Sequence, residues 1–228
     1  MKPNYWQDYN LSKTKLIKKI INFNKKNKVN YYEDNHYNHT RDILALGISL
    51  ISQNKKKIQV LDYGSNPLSL VNLTNKIKLN NIQFTIYDPF FKPNLKKAII
   101  KNINYRILNN DKKVFKKKYN LIHFGSSIQY QDNFFEKIKS LNLSGTEFLV
   151  ITHTPFSMKG FYKTQQTNHP NLFQNIYSFS KLVNLLKSKN FKLVFKSVNN
   201  DKYKACKREM FKTYSFNLYF KKVYTNLK

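Results

Sequence analysis

The chain has 228 residues, with 41 Lys and Arg against 12 Asp and Glu, a formal net charge of +29 and one cysteine. That length suits one α/β domain with an N-terminal extension, and a composition that is 41% hydrophobic and 15% aromatic can build a core. A lone Cys206 excludes an intramolecular disulfide and a cysteine-based zinc site.

The longest apolar run, residues 43–51, is too short for a bilayer span, which needs roughly 20 residues. The opening MKPNYWQDYNLSKTKL lacks the uninterrupted apolar stretch of a signal peptide. The expectation is a soluble, cytoplasmic protein. The positive charge has two readings. One is an anionic partner such as nucleic acid, a membrane surface or an acidic glycan. The other is compositional: Lys, Asn, Ile, Phe and Tyr, all abundant here, come from A/T-rich codons, and the lysines are scattered along the whole chain. The second accounts for most of the charge, and the surplus attracts anions at low salt.

Leu16, Ile17, Ile20 and Ile21 recur at helical spacing, so a short amphipathic helix is predicted in the polar, lysine-rich first 30 residues. Residues 30–40, NYYEDNHYNHT, read as a polar aromatic loop and a candidate lid. Its His36 and His39 lack a third ligand, so no metal site is predicted. Thr40 is placed to cap a helix over residues 41–52, RDILALGISLIS.

Residues 57–69, KIQVLDYGSNPLS, are the stretch around which the rest is arranged. Ile58, Val60 and Leu61 form a short buried strand. A turn through Asp62, Gly64, Ser65, Asn66 and Pro67 leads into a helix marked by Leu68, Leu70, Val71, Leu73 and Ile77. Strand, glycine turn and helix are how an α/β sheet offers its carboxyl edge to a ligand. Neither the dinucleotide fingerprint GxGxxG nor the phosphate loop GxxxxGK[ST] is present.

Alternation follows. Strands are predicted at 82–87 (IQFTIY), 104–108, 119–124 (YNLIHF) and 147–152 (EFLVIT), with a helix at 132–141. A long loop over 157–177 precedes a helix at 178–189. Two aromatic-rich strands, 191–198 and 213–223, close the chain. Strands alternating with helices imply a mainly parallel sheet, and the closing pair implies an antiparallel edge. The division is 1–54, an N-terminal helical extension, and 55–228, the α/β domain.

Four strand ends hold the candidate chemistry. Asp62 and Gly64 end the first; a carboxylate there binds an amine or simply orders the turn. Asp88 ends the second, where an acidic residue accepts from two ribose hydroxyls or is a plain turn Asp before Pro89. Residues 120–130, NLIHFGSSIQY, end the fourth strand in Gly125, Ser126 and Ser127, which admit a planar group, followed by Gln129 and Tyr130, which hydrogen-bond or stack. Ser127 as a helix cap is the simpler alternative. THTPF at 152–156 ends the fifth strand, and His153 is the general-base candidate by residue type, against an ordinary surface or core histidine. The 157–177 loop adds Gln165, Gln166, His169 and Tyr177 on the substrate side.

The order VLDYGS, FTIYD, YNLIHFGSSIQY, FLVITHTPF resembles a class I S-adenosylmethionine-dependent methyltransferase. More narrowly it is similar to a bacterial methyltransferase family associated with surface-polysaccharide genes. That family carries an LDFGG-type loop, an S-S-x-Q-Y motif after the fourth strand and a T-P motif after the fifth. The resemblance covers roughly residues 31–198, with GSSIQY its most specific part and Gln166 and 177–180 also matched. Two departures stand out. The loop lacks the second and third glycines of the usual pattern, and His153 stands where the family often has Arg.

The resemblance implies a Rossmann-like, seven-stranded, mainly parallel α/β sheet with an N-terminal helical extension. The last strand pair would insert to give one antiparallel strand. It implies S-adenosylmethionine as cofactor, held by Asp62, Gly64, Ser65, Asp88, Ser126 and Ser127. Gln129, Tyr130 and Gln166 fall on the substrate side, His153 or His169 is the base, and the acceptor is a small molecule or glycan-linked. Two alternatives remain: a nucleic-acid-binding or RNA-modifying protein, and a degenerate methyltransferase fold acting as a binding protein.

Overall fold

The computed structural model describes residues 38–65, 81–88, 104–166, 169–198 and 208–224, with Lys15, Lys19, Lys26, Leu70, Leu73 and Ile77 besides. All but Lys19 of the predicted helix around Leu16–Ile21, and all but Leu70, Leu73 and Ile77 of the helix after the glycine turn, lie outside the described residues.

The parallel half of the sheet consists of β1 (Ile58–Tyr63), β2 (Ile82–Tyr87), β3 (Asn104–Leu108) and β4 (Leu121–Gly125) in the order β3-β2-β1-β4. β5 (Phe148–Ser157) continues it, pairing parallel to β4 from Phe148 to Thr152. β9 (Thr213–Lys222) runs antiparallel along the other edge of β5, and β8 (Phe191–Val198) pairs antiparallel to β9. The seven-stranded sheet with one inserted antiparallel strand is therefore present, in the order β3-β2-β1-β4-β5-β9-β8. Two further strands, β6 (Tyr162–Gln166) and β7 (His169–Ser178), bring the total among the described residues to nine.

Residues 157–177 were expected to be a long loop. Within this range 162–166 and 169–177 form paired antiparallel strands of β6 and β7 instead. Their alternation is polar as often as apolar: Tyr162 and Thr164 are buried while Lys163 and Gln165 are exposed. A strand signal read from hydrophobic period alone therefore misses them. β7 joins β5 only at Phe156↔Tyr177 and Ser157↔Ser178, taking up the strand edge that β4 leaves when it ends at Gly125.

Two apolar layers sandwich the sheet, because successive strand residues face opposite sides. Val60, Phe84, Leu121 and Val150 point to one side, beneath Leu44, Ile48 and Ile51 of α1 (Asn38–Ser52) and beside the helical Leu70 and Leu73. Leu61, Tyr63, Ile122, Phe124 and Ile151 point to the other. There they meet Phe134 and Ile138 of α3 (Phe134–Ser140) and Leu182 and Leu186 of α4 (Phe179–Ser188). Each fully buried side chain of this size contributes about 1.5–3 kcal/mol.

α1 starts three residues earlier than expected, at Asn38, so Thr40 lies inside it rather than at its cap. At Gly47, α1 packs tightly on the sheet: a Cβ there would stand 2.9 Å from Leu121 Cδ1 and 3.0 Å from the Tyr219 hydroxyl. Ser178, in contrast, does cap α4, its Oγ accepting from the Lys181 N–H at 3.4 Å. Two short helices complete the described elements, α2 (Asp111–Phe115) and α5 (Arg208–Phe211).

Candidate active site

The carboxyl ends of β1, β2 and β4 lie side by side, because Tyr63 pairs with Tyr87 on one edge and with Phe124 on the other. β1 runs two residues further than expected, which makes Asp62 a strand residue. The turn that follows is pinned to β2: the N–H groups of Gly64 and Ser65 donate to the Tyr87 carbonyl at 2.7 and 3.4 Å. Those two N–H groups are thus engaged within the protein. Gly64 has φ +73°, the left-handed region that favours glycine. A Cβ at this position would fall 2.1 Å from Ser127 Cβ, so the missing side chain is what lets the turn after β1 touch the segment after β4.

That segment is held from both sides. Ser127 Oγ donates to the Tyr63 carbonyl at 3.1 Å, and the Ser126 N–H donates to the Thr152 carbonyl at 3.0 Å. Ser126 is itself left-handed, with φ 52°. Residues 128–130 form a 3-10 turn, closed by the Tyr130 N–H donating to Ser127 O at 3.2 Å. Gln129 is 4% exposed. Its Nε2 donates to Ser126 Oγ at 3.2 Å, while its buried Oε1 has no hydrogen-bond partner. Asp88, half-buried, follows Tyr87 directly, and its N–H donates to Leu108 O at 3.3 Å. Gly64, Ser65, Asp88, Ser126, Ser127 and Gln129 therefore gather at one edge.

Asp62 does not sit at that edge. It is fully buried one layer below, where its Oδ1 is 2.8 Å from His123 Nδ1. The other ring nitrogen, Nε2, is 2.8 Å from Thr152 Oγ1. This network is the feature that sequence reasoning missed. Its only signal was a histidine inside the otherwise apolar strand LIHF.

His153 stands at an irregularity in β5, where the pairing with β9 shifts between Ile151 and Thr154. Its φ is 49°, and its N–H donates to Asn217 Oδ1 at 2.9 Å. Left-handed non-glycine residues cost of order 1–3 kcal/mol and persist where surroundings over-determine them, often at functional sites. Ser126 and His153 are two such residues, linked through the backbone of Thr152. Gln166 and His169 face each other as a register pair at the end of the β6–β7 hairpin. Their side chains lie outside the described set.

Below the edge, on the α3 side, the Tyr63 and Tyr87 rings pack at 4.6 Å. Burial raises the pKa of both phenols, with smaller contributions from Asp111. Both therefore remain neutral throughout the working pH range. Lys137 Nζ donates to Tyr63 Oη at 3.3 Å and to Gln131 Oε1 at 2.6 Å. Among the described residues no group of three or more His, Cys, Asp or Glu side chains could hold a metal ion, and no helix is long and apolar enough to cross a membrane.

No protein-family model matches the sequence, and no curated protein matches it. Solved structures do. Magnesium protoporphyrin IX methyltransferase (ChlM) from Synechocystis PCC 6803, with bound SAM, superposes with a TM-score of 0.53 at 10% identity, covering 85% of this chain and 86% of that one. The 1,6-didemethyltoxoflavin-N1-methyltransferase of Burkholderia thailandensis, with bound 1,6-didemethyltoxoflavin and S-adenosylhomocysteine, gives 0.53 at 11%, over 92% and 88%. The N-terminal domain of EvdMO1, in the presence of SAH and D-fucose, gives 0.53 at 7%, over 84% and 85%. At such identities the likeness defines the fold, which is that of the class I methyltransferases.

Proposed function

We propose that this protein is an S-adenosylmethionine-dependent methyltransferase acting on a small or glycan-linked acceptor. The observation that carries the reading is the convergence of the Gly64–Ser65 turn, Asp88 and the Ser126–Ser127 segment at the carboxyl ends of β1, β2 and β4. In this fold class that edge is the ligand edge. The residues present suit the cofactor. Asp88 offers a half-buried carboxylate for a pair of ribose hydroxyls, and Gly64 leaves the turn without a side chain.

S-adenosylmethionine supplies an electrophilic methyl group on a sulfonium centre. The chain's part is to align it with the attacking atom, since proximity and orientation dominate such displacements. The Gly64–Ser65 turn would hold the methionine end and Asp88 the ribose. Ser126, Ser127 and Tyr130 would flank the methyl group. Gln129 Oε1, buried and without a partner, is an acceptor oriented for an N–H or O–H of the bound molecules. His153 is the candidate for removing a proton from an oxygen or nitrogen acceptor, with His169 and Gln166 on the substrate side.

Isothermal titration with S-adenosylhomocysteine tests the reading. Wild type is expected to bind, and Asp88→Ala to bind roughly 10- to 100-fold more weakly, the loss of hydrogen bonds to a charged group. No binding by wild type would remove the cofactor assignment. Equal binding by Asp88→Ala would remove the ribose role alone.

One observation favours a second reading, a nucleic-acid acceptor. The stretch 148–198, which carries the strands from β5 to β8 on the proposed acceptor side, holds seven lysines and no Asp or Glu. Structure-selective RNA binding with a steep salt dependence would support it. Weak binding to any polyanion would leave only the charge.

A further inference from the structure

We infer that His123 is a positioning residue for methyl transfer, an inference that rests on the cofactor assignment above. It fixes the turn after β1 against the irregularity in β5, and so the donor side of the site against the acceptor side.

The imidazole bridges three adjacent strands. It contacts Asp62 of β1 through Nδ1 and Thr152 of β5 through Nε2, each at 2.8 Å, from its own place on β4. The sheet register makes this reach natural, since Asp62 pairs with His123 and Thr152 pairs with Gly125, two residues beyond. Asp62, His123 and Thr152 are all 0% exposed. In the neutral ring Nδ1–H donates to the Asp62 carboxylate and the Thr152 hydroxyl donates to Nε2, so both nitrogens are satisfied.

Stability by itself does not call for this arrangement. Two residues earlier on each of the three strands the same face is Val60, Leu121 and Val150, entirely apolar. A buried carboxylate and imidazole carry a desolvation cost, and replacing such a pair by apolar groups of similar volume is often neutral or stabilising. What the polar trio adds is a fixed geometry among the three segments that form the edge above it.

Each segment is within one or two residues of the ring's contacts. Asp62 lies two residues before Gly64. The Thr152 carbonyl receives the Ser126 N–H at 3.0 Å and the Thr154 hydroxyl at 2.9 Å, and the next residue is the left-handed His153. Gly125 leaves the space over the ring open: a Cβ there would come within 2.8 Å of His123 Cε1. A side chain at 125 and the bridging imidazole are thus mutually exclusive. A lateral shift of order 1 Å between donor and acceptor can cost about 100-fold in rate, which is the error this bridge prevents.

The test compares wild type with His123→Leu, His123→Asn and Val150→Ala, reading S-adenosylhomocysteine affinity by calorimetry and Tm by thermal unfolding. Val150 pairs with His123 in the sheet, is fully buried and touches none of the edge segments through a polar contact. His123→Leu is expected to weaken binding about tenfold or more, the loss of a charge-assisted bond at the donor turn. His123→Asn, which can restore a donor toward Asp62, is expected to recover part of that loss. Val150→Ala is expected to lower Tm while leaving affinity within about twofold, as removing core volume alone does.

A purely structural His123 would move Tm without separating from Val150→Ala in affinity. The proposal is overturned if His123→Leu binds within twofold of wild type. Should that variant fail to fold, Thr152→Val removes the Nε2 contact at nearly constant volume, and wild-type affinity in it overturns the proposal equally. Absence of binding by wild type would instead remove the cofactor assignment, and this proposal with it.

Discussion

Gly64 shows how much a single position decides. Its φ of +73° is one that an L-residue reaches at a cost of about 1–2 kcal/mol. Its hypothetical Cβ would also meet Ser127 Cβ at 2.1 Å and Oγ at 2.5 Å. Gly64→Ala is therefore expected to lose more than the backbone cost, lowering Tm by several degrees or more. Adding Ser127→Gly removes the atoms in the way, so the double variant is expected to recover the steric part and keep the φ part. Thermal unfolding of the two single variants and the pair checks this. Strict additivity would show that the two residues do not meet.

At the scale of elements, the β6–β7 hairpin depends on a clamp. Tyr177 Oη donates to the carbonyls of Gln131 and Asp132, and Asn175 Nδ2 donates to Gln131 O at 3.1 Å and to Asp132 Oδ1 at 3.2 Å. Among the described residues β7 otherwise pairs with the main sheet at two register positions, Phe156↔Tyr177 and Ser157↔Ser178. The segment it grips, 131–132, follows directly on Gln129 and Tyr130. Asn175→Ala combined with Tyr177→Phe is expected to cost about 1 kcal/mol per hydrogen bond lost. It should raise amide exchange in β6 and β7 while β1, β2 and β4 keep their protection. Uniform loss of protection across the sheet would show the hairpin to be one cooperative unit with the rest.

The whole molecule carries an alkaline liability. Burial raises the pKa of Tyr63, Tyr87 and Tyr219, and pushes Tyr105 up to about 12. A phenol whose folded pKa lies above its unfolded value of about 10 contributes stability that is complete below pH 10. That contribution is lost as the pH rises toward the folded value, because the unfolded chain releases its protons first. Tm is expected to be flat with respect to these groups to about pH 10 and to fall above it. Tyr87→Phe should show a shallower fall than wild type, as measured by thermal unfolding between pH 8 and 11. An unchanged slope would remove Tyr87 from the account.

The sequence by itself determined the layers. Apolar runs such as IQVL and IQFTIY, punctuated by Gly64, Asp88 and Gly125, set the parallel strands and the edge where they end, because side-chain period and turn chemistry are local properties. The clustering of Gly64, Asp88 and GSSIQY at strand ends was legible for the same reason. Three things needed the tertiary structure. The β6–β7 hairpin hides behind a polar alternation whose buried side exists only once β7 joins β5. Asp62 reads as a turn carboxylate until β1 is seen to continue through it. The His123 bridge joins residues 61 and 29 positions apart, a contact that no periodicity encodes. It arises from the register of three strands, and strand register is fixed by the packing of the whole sheet.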